Sequence, residues 1–437
     1  MKITFKNDDF WKGSLKYYFL SFSWKDTDIL NIDRQGRVIS FIKDNGTKYK
    51  TTYKKGFDGN WLGIKRPRSS GERIRYNLDQ NEISELYDYI QAFCVLLINH
   101  LSNLKALRIS YDDQDCYKDQ SFNEVVLFWK NLLQEVTYKQ NRSDSLLFPN
   151  IYTSIGILPP DRYGSLILQV TSGCVYNKCA FCHLYQGIEY KYKTENDLQL
   201  HLDKVSKFMG ESIGRFHSIF LGDANALTIP FKDLVTAFDL INNVYQFSDK
   251  KVSHIQKTKP IFEGIYSFLD VFTGFKLSKE HFSKLAQRNL KMVYLGVESG
   301  SERVLKLLQK PNTIDKVVSV VDALHGANVG VAVIILIGAG GKTLEQDHLQ
   351  ESLSLIKKLS LRSKDIIFLS KLYIYEDSLL EINMKKKNII RLTNDELEDE
   401  YRYFKRMLED HYSKQSQFDE FVSYPHIAKY EIAEFIY

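Results

Sequence analysis

Three of the five cysteines fall within nine residues: Cys174, Cys179 and Cys182. Thiolates are soft ligands that select zinc, copper(I) or iron–sulfur clusters. A tight, odd group in a long chain indicates metal binding, because a disulfide framework spreads an even number of cysteines along a short secreted chain. Three thiolates on a short loop can hold one face of a cubane cluster and leave one iron open to a small molecule.

A structural zinc site with His183 as the fourth ligand is the alternative for this loop. Cys182 and His183 are adjacent, which is awkward for two ligands of one ion, and no second cysteine pair exists. Cys94 lies in an apolar run at 92–97, which predicts a buried core residue. Cys116 lies in a polar stretch and is assigned no role.

The elements that must position the loop alternate between short apolar runs and amphipathic helical stretches. The six runs are 165–170, 218–221, 264–270, 292–297, 329–337 and 366–374. This alternation predicts parallel strands joined by right-handed crossovers. It suits an open (β/α)6 partial TIM-type barrel, although a doubly wound sheet gives much the same pattern. In such barrels the chemistry lies on the loops after the strands, and the cysteine loop follows the first strand.

Two further regions flank this core. Residues 1–150 carry short strand-like pieces, a hairpin at 32–39 and helical stretches near 80–104 and 122–138. They predict an N-terminal α+β domain of unknown role, followed by the core at 159–375. Residues 376–437 predict a C-terminal helical extension that packs on the barrel, with a capping box at Thr393 and Glu396.

The cysteine loop resembles that of the radical S-adenosylmethionine (SAM) superfamily. The commonest spacing there is C-x3-C-x2-C, whereas this chain has C-x4-C-x2-C, with the aromatic Phe181 before the last cysteine as the family prefers. Residues 220–224 match the position of the family's Gly-Gly-Glu motif, which meets the amino group of SAM. Only its first glycine is kept here, as Gly222, and Asp223 follows it.

The run at 294–301 resembles the Elp3/HemN/YgiQ-like branch of that superfamily. The resemblance implies that Glu298 contacts SAM with assistance from Ser299, and that the fifth strand, with Ile335, flanks adenine. It implies one [4Fe-4S] cluster that cleaves SAM reductively to methionine and a 5′-deoxyadenosyl radical, which abstracts hydrogen from a substrate. The resemblance covers about residues 159–437. A non-catalytic iron–sulfur or zinc protein, acting as a sensor or scaffold, is the alternative function.

The resemblance also implies an external electron donor such as a flavodoxin or ferredoxin. Auxiliary clusters and a cobalamin-dependent methylase are not expected, because only two distant cysteines remain and no D-x-H-x-x-G signature occurs. The substrate stays open between a tetrapyrrole, a nucleic acid or nucleotide such as RNA, and a peptide or small metabolite. Residues 48–75 hold nine Lys or Arg and two acidic residues, which form either a phosphate contact or simply a solvated basic hairpin.

Nothing in the sequence predicts a membrane segment or a secretion signal. No stretch approaches the roughly 18 apolar residues of a membrane helix, and the first residues lack the apolar core of a signal peptide. We therefore expect a cytoplasmic protein without a membrane partner. The net charge of +5 is too small to indicate a partner, and we assign no role to His183, His217 or His254.

Overall fold

The computed structural model shows two large β-sheets. It describes residues 2–5, 11–16, 19–25, 27–44, 46–69, 71–103, 107–110, 121–153, 155–248, 261–416, 424–430 and 437. The first sheet is antiparallel and the second is parallel. The boundaries predicted between the three regions remain predictions.

The antiparallel sheet contains nine strands in the order β8-β7-β6-β5-β4-β3-β2-β1-β9. Their bounds are β1 Lys2–Phe5, β2 Trp11–Lys16, β3 Phe19–Trp24, β4 Asp28–Asp33, β5 Val38–Lys43, β6 Tyr49–Lys55, β7 Trp61–Pro67, β8 Ile74–Asn77 and β9 Leu107–Ser110. Helices α1 (Gln80–Asn103) and α2 (Phe122–Glu135) bury their apolar faces with Phe22 and Phe41 in one core. The α+β prediction is therefore correct. The second predicted helix ends at Glu135, and a further helix, α3 (Tyr138–Leu147), capped by Thr137, was not predicted.

The parallel sheet contains seven strands in the order β10-β13-β16-β17-β18-β19-β20. Their bounds are β10 Ser165–Gln169, β13 Ser218–Gly222, β16 Ile265–Leu269, β17 Leu290–Glu298, β18 Gly330–Ile337, β19 Ile366–Lys371 and β20 His426–Tyr430. Two short ribbons pair β11 (Thr171–Ser172) with β12 (Lys191–Tyr192) and β14 (Gln246–Phe247) with β15 (Ile261–Phe262). Every residue of β10 and β13 is buried, as expected for strands covered on both faces.

The strand order selects the barrel over the doubly wound sheet. Spatial neighbours follow each other along the chain, whereas a doubly wound sheet reverses its order at a switch point. Strands β10 and β20 form the two edges, so the barrel is open. All six predicted strands are present, and the C-terminal segment adds a seventh, β20, parallel to β19.

The helices of this region begin mostly where the capping patterns predict. They are α4 Glu195–Met209, α5 Phe231–Val244, α6 Val271–Gly274, α7 Lys279–Ala286, α8 Glu302–Leu307, α9 Ile314–Gly326, α10 Glu345–Lys358, α11 Leu379–Lys386 and α12 Asn394–Ser416. Thr194 and Asp197 form a capping box at α4, and Thr393 and Glu396 form one at α12. These boxes satisfy backbone N–H groups that the first helical turn leaves unpaired.

The antiparallel sheet meets the barrel at the N-terminal ends of the barrel strands. Arg37, just after the β4–β5 turn, donates to Phe208 O at the end of α4 (2.6 Å) and to Asp144 Oδ1 of α3 (3.1 Å). Phe57 packs against Phe208, with ring centroids 5.8 Å apart. We call the charged group of Asp33, Arg37, Lys55, Asp144 and Arg215 the junction. This contact leaves the opposite end of the barrel, where the strands end, free for a site.

Candidate functional site

The cysteine loop follows β11, and its first residue, Gly173, occupies a position that only glycine fits comfortably. Gly173 has φ +71, and a Cβ there would lie 3.0 Å from the carbonyl oxygen of Ile188. Its N–H donates to Asp223 Oδ2 (3.1 Å), while Asp223 Oδ1 accepts from Gln169 Nε2 (3.0 Å). Asp223, directly after β13, thereby fixes the start of the loop. Burial raises the pKa of Asp223 to about 6.

The far side of the loop is held by two helices that begin after other strands. Ala180 N donates to Leu308 O (2.9 Å), next to α8, and Leu380 N of α11 donates to Ala180 O (3.0 Å). Ala180 and Phe181 pack with Leu308 and Leu380 in a small separate apolar cluster. The three cysteines thus lie on a loop whose backbone is tied to three parts of the barrel.

A cavity of about 260 Å³ opens beside this loop, at the C-terminal ends of the parallel strands. All three cysteines line it, together with Phe181. Its remaining wall is rich in aromatic side chains, namely Tyr176, Tyr185, Phe268, Phe272, Tyr294, Tyr373, Tyr375 and Tyr430. The combination of an apolar cleft with a few polar groups is typical of small-molecule sites.

One buried ion pair lies in this cavity. Glu298 ends β17 with φ +67, at a register irregularity, and its Oε1 accepts from Lys310 Nζ (2.9 Å). Both side chains are under a tenth exposed. Gly296 leaves the space beside them, because a Cβ there would contact both charged ends. Burial alone would lower the pKa of Lys310, but attraction to Glu298 and Cys179 outweighs it, so the pKa is raised and the lysine stays charged.

Asp270 and Asn225 also line the cavity, and neither was predicted from the sequence. Asn225 Oδ1 accepts from Asp270 N (2.7 Å), and Asn225 Nδ2 lies 3.9 Å from Cys174 Sγ. Asp270 Oδ1 accepts from Thr273 N (2.8 Å) and so caps α6. Its Oδ2 has no hydrogen-bond partner among the described residues, and burial raises the pKa of Asp270. Its position at the end of the third apolar run was the signal that could have identified it.

Four of the residues predicted to bind the cofactor do not line the cavity. Gly222 and Asp223 lie behind it, where Asp223 holds the cysteine loop. Ser299 is buried, and its hydroxyl contacts His348 Nδ1 (2.8 Å). Ile335 is fully buried in the main core, and the cavity is lined instead by Ile334 and Leu336. The reason is the two-residue period of a strand, which puts neighbouring side chains on opposite faces.

Three cysteines at this spacing suit either zinc or an iron–sulfur cluster, and both bind cysteine as the thiolate. Burial raises the pKa of Cys179 to about 12 and also raises that of Cys182. Ligation therefore has to be coupled to loss of the thiol protons.

The other residues considered from the sequence lie apart from this site, except one. His183 lines the cavity, and its ring lies 4.3 Å from that of Tyr375. His217 precedes β13, at the other end of the barrel. Cys94 is buried in α1, and burial raises its pKa to about 12. Cys116 and His254 lie outside the described residues.

The basic stretch at 48–75 belongs to strands β6 to β8 of the antiparallel sheet. None of its residues lines the cavity, and Lys55 is buried in the junction. Arg68 pairs with Asp44, and Arg66 donates to Thr52 Oγ1 (3.2 Å). The stretch is therefore partly used in the fold of its own sheet. No described helix is long and apolar enough to cross a membrane.

Comparison with known proteins places the chain beside one superfamily. The family model described as "Radical SAM superfamily" matches residues 168–355. No curated protein matches the chain significantly. Among solved structures, the chain is similar to the radical SAM methyltransferase TsrM from Kitasatospora setae, at 14% identity and TM-score 0.37, over 54% of this chain and 41% of that chain. It is similar to coproporphyrinogen III oxidase (HemN) from Escherichia coli, at 11% identity and TM-score 0.37, over 62% and 61%. The chain thus spans less than two thirds of either protein.

Proposed function

We propose that the chain is a radical SAM enzyme of the oxidoreductase or transferase class, on the premise that the radical SAM family model matches residues 168–355. We infer that Cys174, Cys179 and Cys182 hold one [4Fe-4S] cluster and that SAM occupies the adjoining cavity. The observation that carries the proposal is the position of all three thiols on the wall of one cavity at the strand ends. When bound, the cluster supplies one electron for the reductive cleavage of SAM to methionine and a 5′-deoxyadenosyl radical.

The protein's own groups then bind and orient SAM. Glu298 is a buried carboxylate beside the thiols, and its second oxygen is not used by Lys310, so it can accept from the hydroxyl or ammonium groups of SAM. Lys310 pairs with Glu298 and also lies 6.0 Å from the ring centre of Phe181. The pair therefore supplies charged contacts without leaving a net charge in a low-dielectric site.

Asp270 is our candidate for contact with the substrate. Its capping bonds fix one oxygen, and the other has no hydrogen-bond partner among the described residues. A buried acceptor of this kind favours a ligand with an amine or hydroxyl donor. The aromatic wall around it excludes water, which protects a reactive intermediate from side reactions. Peptide or small-metabolite substrates fit this better than RNA, because the basic stretch lies away from the cavity.

An external donor such as a flavodoxin or ferredoxin is the partner we propose for reduction. Lys178 and Val175 of the cysteine loop are exposed, and so are Ile382 and Lys386 of α11 and Lys387 just after it. Helix α11 contacts the loop directly through Ala180, so a protein docked there lies next to the thiols. Basic groups around an apolar centre complement an acidic carrier protein.

The test is anaerobic reconstitution of the full chain with iron and sulfide, followed by dithionite and SAM. We expect a brown protein with about four irons, an electron paramagnetic resonance signal after reduction, and 5′-deoxyadenosine in the products. Cys179→Ala should lose the signal and the product, whereas Cys94→Ala, outside the site, should keep both. A colourless protein that binds zinc in place of iron would overturn the proposal in favour of a non-catalytic metal protein.

A further inference from the structure

A second buried polar group lies behind the cavity wall, between β17, β18 and two helices. It consists of Ser299 just after β17, His348 in α10 and Glu400 in α12, all at most 2% exposed. None of them lines the cavity. Buried polar groups are costly unless they are bonded, so this group calls for a structural or functional reason.

Its hydrogen bonds reach the ends of two neighbouring strands from two sides. Ser299 Oγ accepts from Ser301 N (3.0 Å) and shares a hydrogen bond with His348 Nδ1 (2.8 Å). Glu400 Oε1 accepts from Gly338 N (2.7 Å), directly after β18, and lies 3.7 Å from His348 Nε2. The group therefore forms a nearly closed ring from β17 through α10 and α12 back to β18.

Both strand ends carry parts of the cavity wall. Ser299 follows Glu298, whose left-handed backbone aims the carboxylate at Lys310, and Gly338 follows the segment that presents Ile334 and Leu336. Glycine is required at 338, where φ is +86 and a Cβ would contact Leu397 of α12. Helix α12 thus presses directly on the turn that Glu400 bonds.

The ring does not have the properties of a nucleophilic triad. Ser299 is 1% exposed and faces away from the cavity, and the gap between His348 and Glu400 exceeds hydrogen-bond length. Burial lowers the pKa of His348 to about 4 and raises that of Glu400 to about 7. Hydrogen bonds therefore hold His348 to Ser299 and Glu400 to Gly338, and the two halves meet through a packing contact of 3.7 Å rather than an ion pair between full charges.

We propose that Glu400 and His348 are positioning residues, through which the C-terminal helix α12 sets the geometry of the SAM site. Glu400 holds the turn at Gly338, and His348 holds Ser299, so the pair fixes Glu298 relative to the β18 side of the cavity. The inference rests on the proposed function. It extends the site to a segment that the matched family region, residues 168–355, does not include.

Glu400→Ala and Glu400→Gln test the inference in the reconstituted full-length protein. Loss of the acceptor in Glu400→Ala should weaken SAM binding about tenfold, since displaced supporting groups typically cost that much. The SAM-dependent change in the resonance spectrum of the reduced cluster should be smaller, with iron content unchanged. Glu400→Gln keeps an oxygen for Gly338 N and should bind SAM like the unmodified protein.

Two control variants on α12 distinguish a loss of positioning at the SAM site from a general loss of stability. Leu408→Ala removes a fully buried apolar side chain of α12, away from the ring, and should lower the melting temperature without changing SAM affinity. Glu409→Ala breaks an exposed pair with Lys405 and should change neither. Unchanged SAM binding in Glu400→Ala, or equal weakening in Leu408→Ala, would overturn the inference. Failure of the unmodified protein to bind SAM would instead overturn the proposed function.

Discussion

Two buried charge clusters lie at opposite ends of the same barrel, and their surroundings differ. At the junction, Asp144 accepts from Arg37 Nε (3.1 Å) and Lys55 Nζ (3.2 Å). At the cavity, Glu298 pairs with Lys310 (2.9 Å). All of these side chains are under a tenth exposed. By burial and ion pairing alone, the two clusters are equivalent.

What differs is the space beside the charges. At the junction, Arg37 lies 4.5 Å from the ring centre of Phe208 and Arg215 lies 4.6 Å from that of Phe57, so aromatic rings cover the charges. At the cavity, the charges border about 260 Å³ of free volume and three thiols. Perturbed ionisable groups identify a functional site only when a ligand can reach them; otherwise they hold elements together.

The largest expected effect is on stability, at the junction. Asp144→Ala removes the carboxylate that Lys55 pairs with and leaves Arg37 with Asp33 alone, 3.9 Å away. Breaking a buried pair in this way costs about 3–5 kcal/mol. Urea unfolding of the metal-free protein measures it. Asp239→Ala, which breaks an exposed pair with Arg288, should cost less than about 1 kcal/mol. A loss below about 1 kcal/mol in Asp144→Ala would mean that the junction does not hold the two sheets together.

At the cavity we expect the main effect on binding. Glu298→Gln removes a charged acceptor and should weaken SAM affinity at least about tenfold, since charge-assisted bonds are roughly twice as strong as neutral ones. It also leaves Lys310 buried and unpaired. In the double variant Glu298→Gln with Lys310→Gln, much of the stability should return without the affinity. Equilibrium binding and thermal melting separate the two, and recovery of affinity in the double variant would contradict a direct role for Glu298.

A smaller effect, on the rate of SAM cleavage, is expected from exposed lysines at the two ends of the barrel. Lys386→Glu with Lys387→Glu, beside the cysteine loop, should lower the flavodoxin-driven rate of SAM cleavage about fivefold, because rim charges act mainly on association. The dithionite-driven rate should stay the same. Lys357→Glu with Lys358→Glu, at the junction end of α10, is the matched control. Equal slowing by both pairs would argue against docking at α11.

The smallest expected effect is on the pH dependence of the unfolding free energy, through the two buried lysines Lys55 and Lys310. Burial lowers the pKa of Lys55 below 10.5 despite Asp144, so the folded protein loses this proton before the unfolded chain. Lys55 therefore makes the unfolding free energy rise with pH up to the ordinary lysine pKa of 10.5. Lys310, with a raised pKa, should add no slope there, because its contribution is lost only above that range. Urea unfolding of Lys55→Met should show a reduced slope and Lys310→Met an unchanged one; the reverse would contradict the assignment.

Sequence reasoning found the features that depend on neighbours along the chain. The spacing of Cys174, Cys179 and Cys182 located the loop, and the apolar runs gave six of the seven strands of the barrel. It missed β20, because a five-residue strand at His426–Tyr430 has little pattern of its own and gains its place by pairing with β19. It also missed Asp270 and Asn225, whose shared hydrogen bond joins the ends of two strands 45 residues apart.

The sequence by itself determined which metal ligands the loop offers and where six of the barrel strands lie along the chain, because ligand type and strand periodicity are local properties. Only the tertiary structure decided which face of each strand meets the cavity, so that Ile334 lines it and Ile335 does not. It alone brought Lys310 to Glu298, and Glu400 to Gly338 across 62 residues. Such contacts depend on how twisted strands and helices pack, which short-range spacing does not encode.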